Sequence, residues 1–340
     1  MWYNNSDIRI EETPLPRPGA GEILVKVMSC GICGSDVVEW YRLPKAPLVP
    51  GHEIGGEVMA CGEGVDAFAT GDRVFVAPKV PCNQCTYCER KQFPLCTEVK
   101  ERLPGGFSEA VVVPETLVKN GVYRLPEKIT YDQSTFIEPL ACVVRAQRLT
   151  RVEKGSTVMV IGCGMSGLLH VKLAKSRACT VIAVDINPAK LEMARRSGAD
   201  FCLNAAENVP EKMMDEGIRK PDVVVLSVGA MAAVETAWAC VEKGGAVVFF
   251  AVPSPDKQVV IPINDLWTKE VRVLTSYYCG PPDIVDAMEH LDSGRISVDE
   301  MITHRFCLED IAEGFRLVCD GRESIKVIIR PNECVRKPER

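Results

Sequence analysis

No stretch of this 340-residue chain holds the roughly 18 consecutive apolar residues that a membrane-spanning helix needs. A dense Lys/Arg tract is also missing. Lys plus Arg number 40 against 46 Asp plus Glu, a formal charge of −6, which argues against non-specific nucleic-acid binding. The start, "MWYNNSDIRIEE", lacks the charged-then-apolar order of a secretory leader, so a cytoplasmic location is the expectation. Internal repeats and low-complexity segments are absent. Histidine is scarce, with four residues at 52, 170, 290 and 304.

Cysteine, by contrast, is plentiful at 16. In a secreted chain that count would suggest disulfides; in a cytosolic chain of this size, clustered cysteines suggest metal ligands. Four fall in "CNQCTYCERKQFPLC", where Cys82, Cys85, Cys88 and Cys96 have the spacing C-x2-C-x2-C-x7-C. Four thiolates in so short a loop can surround one tetrahedral ion, the usual pattern of structural zinc. A thioredoxin-like pair would need only two cysteines before a helix. An iron–sulfur cluster can use similar spacing, but no second cluster motif or Cys-Pro ending accompanies it. Zinc bound by four thiolates has no open position, so loop 82–96 is pinned rather than reactive. Cys179, Cys202, Cys240 and Cys319 stand singly among apolar residues and read as small core residues.

The first third of the chain is rich in Gly, Pro and β-branched residues, and "EILVKVMSC" and "DRVFVAP" alternate like strands. Near Arg151 the texture changes. Six short apolar runs, at 156–162, 180–185, 201–204, 221–229, 245–253 and 270–278, are separated in several places by helical spacing. Runs without alternation indicate strands buried on both faces of a parallel sheet, here two βαβαβ halves. The stretch "AMAAVETAWACVEKGG" reads as a helix stopped by Gly244–Gly245. The expected division is 1–146, then 147–279 as the nucleotide-binding domain, with 280–340 returning to the first.

Gly162-Cys163-Gly164-Met165-Ser166-Gly167 fits G-x-G-x-x-G. It follows a strand, opens a helix, and precedes Asp185 at the end of the next strand. Gly162 permits the tight turn, Gly164 lets backbone approach a pyrophosphate, and Gly167 lets helix and strand pack closely. Asp185 would accept hydrogen bonds from the adenosine ribose hydroxyls and repel a 2′-phosphate, favouring NAD over NADP. Cys163 reads as a small residue in the loop.

Elsewhere, "CGICGSDVVEW" carries Cys33, "PGHEIGGEV" carries His52 and Glu53, and "FIEPLACVVRA" carries Glu138. One Cys, one His and a carboxylate make a zinc set that leaves a place for substrate or water. Singly, His52 could be a loop histidine and Glu138 a helix N-terminal acid.

These motifs, in order with "CNQCTYC" and "VIGCGMSG", resemble the zinc-containing medium-chain alcohol dehydrogenases over nearly the whole chain. The sorbitol (polyol) and threonine dehydrogenase branch is favoured because Glu138 stands in "EPLA" where classical alcohol dehydrogenases have a cysteine. The resemblance implies an α/β protein: a GroES-like irregular β-barrel catalytic domain built from both chain ends, and an inserted Rossmann domain with a doubly wound parallel sheet. It implies two zinc ions per chain, one catalytic and one structural, and NAD. Cys33 and His52 match ligands of the catalytic zinc. Glu53 matches a carboxylate that binds zinc in some states, and Glu138 the remaining carboxylate. Ser35 matches the hydroxyl that bonds the substrate oxygen and starts a proton relay, while Asp36 fixes the local turn. Lys190 matches a basic position near adenosine. Val228, Val252 and Tyr277 match positions lining the cofactor, the last two near the nicotinamide.

Two features depart from that branch. Val38 stands where a relay histidine often occurs. Tyr277 stands where the polyol enzymes carry an arginine. The short segment from Trp40 to Pro50 leaves Trp40, Tyr41 and Arg42 as candidate pocket residues, with Phe107 and Tyr277. The implied activity is hydride transfer between a small secondary alcohol, of polyol or vicinal-diol type, and NAD. The implied assembly is a homodimer or homotetramer formed through Rossmann sheet edges. Amino alcohols, aminocyclitols or threonine-type substrates are the alternative. A non-catalytic NAD-binding regulator is a third reading, and the intact Cys33, Ser35, His52 and Glu138 argue against it.

Overall fold

The computed structural model describes residues 1–99 and 101–333. The chain forms two compact units, one of 1–139 with 279–340 and one of 140–278. The first crossing falls inside the helix Ile137–Leu149, seven residues before the boundary at 146/147 read from the sequence.

In the first unit, β1 (Trp2–Asn4) and β2 (Asp7–Ile8) make a hairpin. Trp2 is buried and its backbone exchanges hydrogen bonds with Leu48, while Asn5 donates to Val37 O and its backbone N–H to Glu39. The hairpin thereby holds the segment 37–48. Next come β3 (Ile23–Gly31), β4 (Glu53–Cys61), β5 (Arg73–Val76), β6 (Ala110–Val113) and β7 (Val122–Arg124).

The second unit carries β8 (Thr157–Ile161), β9 (Thr180–Asp185), β10 (Phe201–Asn204), β11 (Val223–Leu226), β12 (Ala246–Phe249) and β13 (Arg272–Thr275). All pairings are parallel, in the order β10-β9-β8-β11-β12-β13. This is the doubly wound order, with its switch point between β8 and β11. β8, β11 and β12 are buried along their length, as continuous apolar runs require. β13 is different: it is an edge strand, and its residues are largely exposed. Apolar sequence alone does not distinguish a central strand from an apolar edge. The helix expected to stop at Gly244–Gly245 ends at Cys240. Val241 is already extended, and the Glu242 N–H bonds to Pro221 O, so the turn into β12 begins before the glycines.

The chain returns to the first unit with β14 (Ile302–Phe306) and β15 (Lys326–Ile329). The order there is β14-β15-β3-β4-β5-β7, with β6 also on β3. β4 pairs antiparallel with β3 along its length, from Ile23 opposite Cys61 to Gly31 opposite Glu53. The other edge of β3 is shared: β6 takes Ile23–Lys26 and β15 takes Cys30 and Gly31. Val25, Val27, Ile54, Val74 and Val76 form the core with Phe315 of the helix Ile311–Asp320. β3 thus ends with strands from both chain ends beside it.

Candidate active site

That β3 end builds the metal candidate. Because Gly31 lies opposite Glu53, the turn after β3 and the loop before β4 meet. Cys33 caps a single turn of 3-10 helix, Gly34–Asp36, and its Sγ accepts the Ser35 N–H and the Ser35 hydroxyl, each at 3.4 Å. The Asp36 carboxylate closes the turn by accepting the Cys33 N–H at 3.1 Å. It lies also 3.3 Å from His52 Nδ1 and 2.6 Å from an Arg42 nitrogen. Asp36 therefore fixes the turn, as expected, and also orients the imidazole, leaving Nε2 for another partner.

Ligand atoms of Cys33, His52 and Glu53 lie within 4.8 Å of one another. Burial opposes charge on His52, but Asp36 and the Cys33 sulfur outweigh it and hold the His52 pKa well above the ordinary value. The surroundings favour positive charge at this place, and the donor set of sulfur, imidazole nitrogen and carboxylate oxygen suits zinc. Glu53 Oε1 is buried and has no hydrogen-bond partner among the described residues, an oxygen that a cation would satisfy. The other oxygen forms an ion pair with Lys326 of β15, and neither side chain is exposed. A Cβ on Gly31 would overlap both groups, so the glycine gives the pair its passage across β3. Sequence reasoning missed Lys326. The signal was present, as a lone charge in the apolar strand "IKVIIRP".

Glu138 is not one of these three. It sits in the first turn of Ile137–Leu149, with its carboxylate within 4.8 Å of the Cys279 thiol. Of the pocket candidates, Trp40 is 50% exposed and stacks edge-on with Tyr41. Phe107 is 6% exposed and packs edge-on against Phe315 in the core, so the structure gives it a packing role. Arg42 is turned inward onto Ser35 and Asp36.

The second cysteine set also converges. Sulfur separations are 3.5 Å for Cys85–Cys88 and 3.9 Å for Cys82–Cys88 and Cys85–Cys96. A tetrahedron with metal–sulfur bonds of about 2.3 Å has edges of about 3.8 Å. Cys82 N–H and Cys85 N–H each point at a neighbouring sulfur at 3.3 Å, as thiolates require. Hydrogen bonding, first from the Cys88 backbone, lowers the Cys85 thiol to about 6, while burial pushes the Cys88 thiol up to about 12. The residues fit a zinc ion.

In the second unit, the glycines divide their work. Gly162 has φ 95°, and a Cβ there would lie 2.9 Å from Val228 Cβ. Gly162 and Val228 thus meet just past β8 and β11, at the switch point. A Cβ on Gly167 would overlap the Gly162 carbonyl, whereas one on Gly164 would stand in open space. That open space lies before the first turn of the helix Met165–Ser176, which has no side-chain cap; a pyrophosphate fits there. Asp185 accepts Cys163 N–H at 2.7 Å and Asn187 N–H at 2.8 Å, one on each oxygen. Each oxygen keeps a second lone pair. Lys190 lies in the helix Pro188–Arg196 that follows. Val228, Val252 and Tyr277 follow the carboxyl ends of β11, β12 and β13, and all three are exposed, Tyr277 at 57%. Cys163 is buried and its thiol is pushed well up by burial, which suits packing rather than redox chemistry.

Comparison with known proteins points to one family. Residues 19–127 match the family model for the alcohol dehydrogenase GroES-like domain, and residues 167–293 that for zinc-binding dehydrogenase. Sorbitol dehydrogenase of Bacillus subtilis is 30% identical over 98% of this chain and 96% of its own. Erythritol/L-threitol dehydrogenase of Mycolicibacterium smegmatis is 32% identical over 97% and 96%. The crystal structure of 2R,3R-butanediol dehydrogenase from Bacillus subtilis superposes with a TM-score of 0.85 at 28% identity, covering 97% of this chain and 98% of that one. With its two large sheets, its cysteine sets and its glycine turn in the family's order, the chain belongs to the zinc-containing medium-chain alcohol dehydrogenases, in the branch that resembles sorbitol dehydrogenase.

Proposed function

We propose that this protein oxidises a secondary alcohol of polyol or vicinal-diol type, with NAD as the hydride acceptor. The observation that carries the reading is the convergence of Cys33, His52 and Glu53 with the Ser35 hydroxyl already bonded to Cys33 Sγ. The substrates in the names of the three relatives described above are polyols or a diol, which supports the substrate class.

Cys33, His52 and Glu53 would hold the catalytic zinc, and Cys82, Cys85, Cys88 and Cys96 the structural one. Zinc supplies Lewis acidity that lowers the pKa of an alcohol, and NAD supplies the hydride acceptor. The chain does the rest. Ser35 accepts the hydroxyl proton of the substrate and passes its own to solvent, to which it is half-open. Asp36 keeps His52 in the tautomer that leaves Nε2 free. Lys326 holds one oxygen of Glu53, so the other is the one aimed at a cation. Gly164 leaves room for the pyrophosphate, Asp185 and Lys190 face the adenosine end, and Val228, Val252 and Tyr277 give the nicotinamide end an apolar wall.

The exposed edge of β13 supports a homodimer or homotetramer. Val273 on the strand and Ile263 and Trp267 beside it are exposed and line one groove. Among the described residues, no helix is long and apolar enough to cross a membrane, and we place the protein in the cytoplasm.

The test is a screen of polyols, vicinal diols and amino alcohols, read by NAD reduction and run beside metal analysis. Polyols or diols should turn over with NAD in preference to NADP. About two zinc ions per chain should be found, falling to about one, with activity lost, in Cys33→Ala. No turnover of any alcohol with either nicotinamide would sink the reading.

A further inference from the structure

The segment after the metal turn contains Arg42, a pocket candidate that the structure turns onto Ser35 and Asp36 instead. The Val38 side chain offers no polar atom, but the residue caps a short helix, Glu39–Arg42, and the Arg42 N–H bonds back to Val38 O at 3.1 Å. That turn carries the Arg42 side chain back over the metal turn, where it is 14% exposed. Its Nε donates to Ser35 O at 2.9 Å. One terminal nitrogen donates to Ser35 Oγ at 3.3 Å and to Asp36 Oδ1 at 2.6 Å. The guanidinium thus grips the backbone and side chain of the proton-transfer hydroxyl and the carboxylate that orients His52.

We infer that Arg42 is a positioning residue for Ser35. An arginine keeps its proton and only donates, so it takes one lone pair of Ser35 Oγ and no proton from it. The hydroxyl proton of Ser35 is then directed away from Arg42. In the structure it points at Cys33 Sγ, on the side where a substrate oxygen would bind. The remaining lone pair is left for the substrate's proton, and on taking it Ser35 releases its own hydroxyl proton to solvent, to which its side chain is half-open. Arg42 also polarises the hydroxyl, making it the stronger donor when the reaction runs toward the alcohol. Lysine, a point charge without the fork, cannot span Ser35 O, Ser35 Oγ and Asp36 together.

The inference deepens the dehydrogenase reading and rests on it for the role of Ser35. Arg42→Ala should lower kcat about 10–100-fold, the range for groups that orient metal ligands and their neighbours, with KM for the alcohol within roughly threefold. Added guanidinium should restore part of the loss in Arg42→Ala and none in Ser35→Ala/Arg42→Ala. The double variant should be no slower than Ser35→Ala, because the two groups act as one. Losses that add, or indifference to guanidinium, overturn the inference. Should Arg42→Ala fail to unfold cooperatively, Arg42→Lys replaces it and should show the same drop in kcat; full activity in Arg42→Lys overturns the inference as well. One readout does not depend on turnover. In cobalt-substituted protein, Arg42→Ala should shift the thiolate-to-cobalt absorption band, since the hydroxyl bonded to Cys33 Sγ loses its anchor. An unchanged band at unchanged metal content overturns the inference even if the wild-type protein oxidises no alcohol.

Discussion

At the scale of the residue, charge burial dominates. Lys326 and Glu53 are both fully enclosed, and each is tolerable only because the other is there. Breaking such a pair by removing one partner costs about 3–5 kcal/mol, whereas removing both can be nearly neutral. Lys326→Met should therefore lower stability by about 3–5 kcal/mol, and Glu53→Gln/Lys326→Met should recover most of it. Urea unfolding of the three proteins at equal zinc loading checks this. A single variant as stable as the wild type would mean that the carboxylate is satisfied without the lysine. The same residues show what a sequence conceals. Cys33, Ser35 and His52 stand in short motifs whose spacing is local. Lys326 is 273 positions from Glu53, and only the register of β15 on β3 and β3 on β4 brings them together across Gly31.

At the scale of the element, the helix Met165–Ser176 carries a group that opposes folding in acid. His170 is fully buried, edge-on to Phe250 with ring centroids 4.7 Å apart, and neither ring nitrogen has a hydrogen-bond partner among the described residues. Burial, aided by the Arg177 charge, lowers its pKa to about 3. In the unfolded chain it titrates near the ordinary value of 6.5. The unfolded state therefore binds the extra proton first as pH falls, and stability declines from about pH 6.5 toward about pH 3. Above pH 6.5 the folded state has no such penalty. His170→Leu should flatten the dependence of the urea midpoint on pH between about 7 and 4. A slope equal to that of the wild type would place the acid sensitivity elsewhere. Element types were legible here: the helix at 165–176, the strands flanking the glycine turn, and Asp185 at a strand end all follow from local pattern. Element ends were less so. The helix Met231–Cys240 stops four residues before its glycines because the sheet, through Pro221 O, claims the Glu242 N–H first.

At the scale of the whole molecule, the unfinished feature is the edge of the parallel sheet. β13 leaves one backbone edge open beside exposed Val273, Trp267 and Ile263. Exposed apolar edges are aggregation hazards unless covered, and the homo-oligomer proposed above would cover this one. If the proposed homo-oligomer uses this edge, Val273→Lys with Trp267→Glu should convert it to a smaller species in light scattering coupled to size-exclusion chromatography, while the circular dichroism spectrum keeps its α/β shape. An unchanged mass would assign the interface to another surface. The sequence reading took 270–278 as a strand like the other five. Its exposure depends on being last in the order β10-β9-β8-β11-β12-β13, which no local pattern states.

The sequence by itself determined the chemistry that short spacings can encode. Cys82, Cys85, Cys88 and Cys96 form their cage within one loop. Gly162, Gly164 and Gly167 differ in function because of backbone sterics within six residues. Cys33, Ser35 and Asp36 share one turn. The tertiary structure alone decided which distant groups complete those local units. It paired Glu53 with Lys326, placed Glu138 beside Cys279, packed Phe107 into the core and brought Arg42 back onto Ser35. The physical reason is range. Turn geometry and capping act over a few residues and leave a readable pattern. Strand register and burial join residues from opposite ends of the chain, and their partners are fixed only when the sheet is.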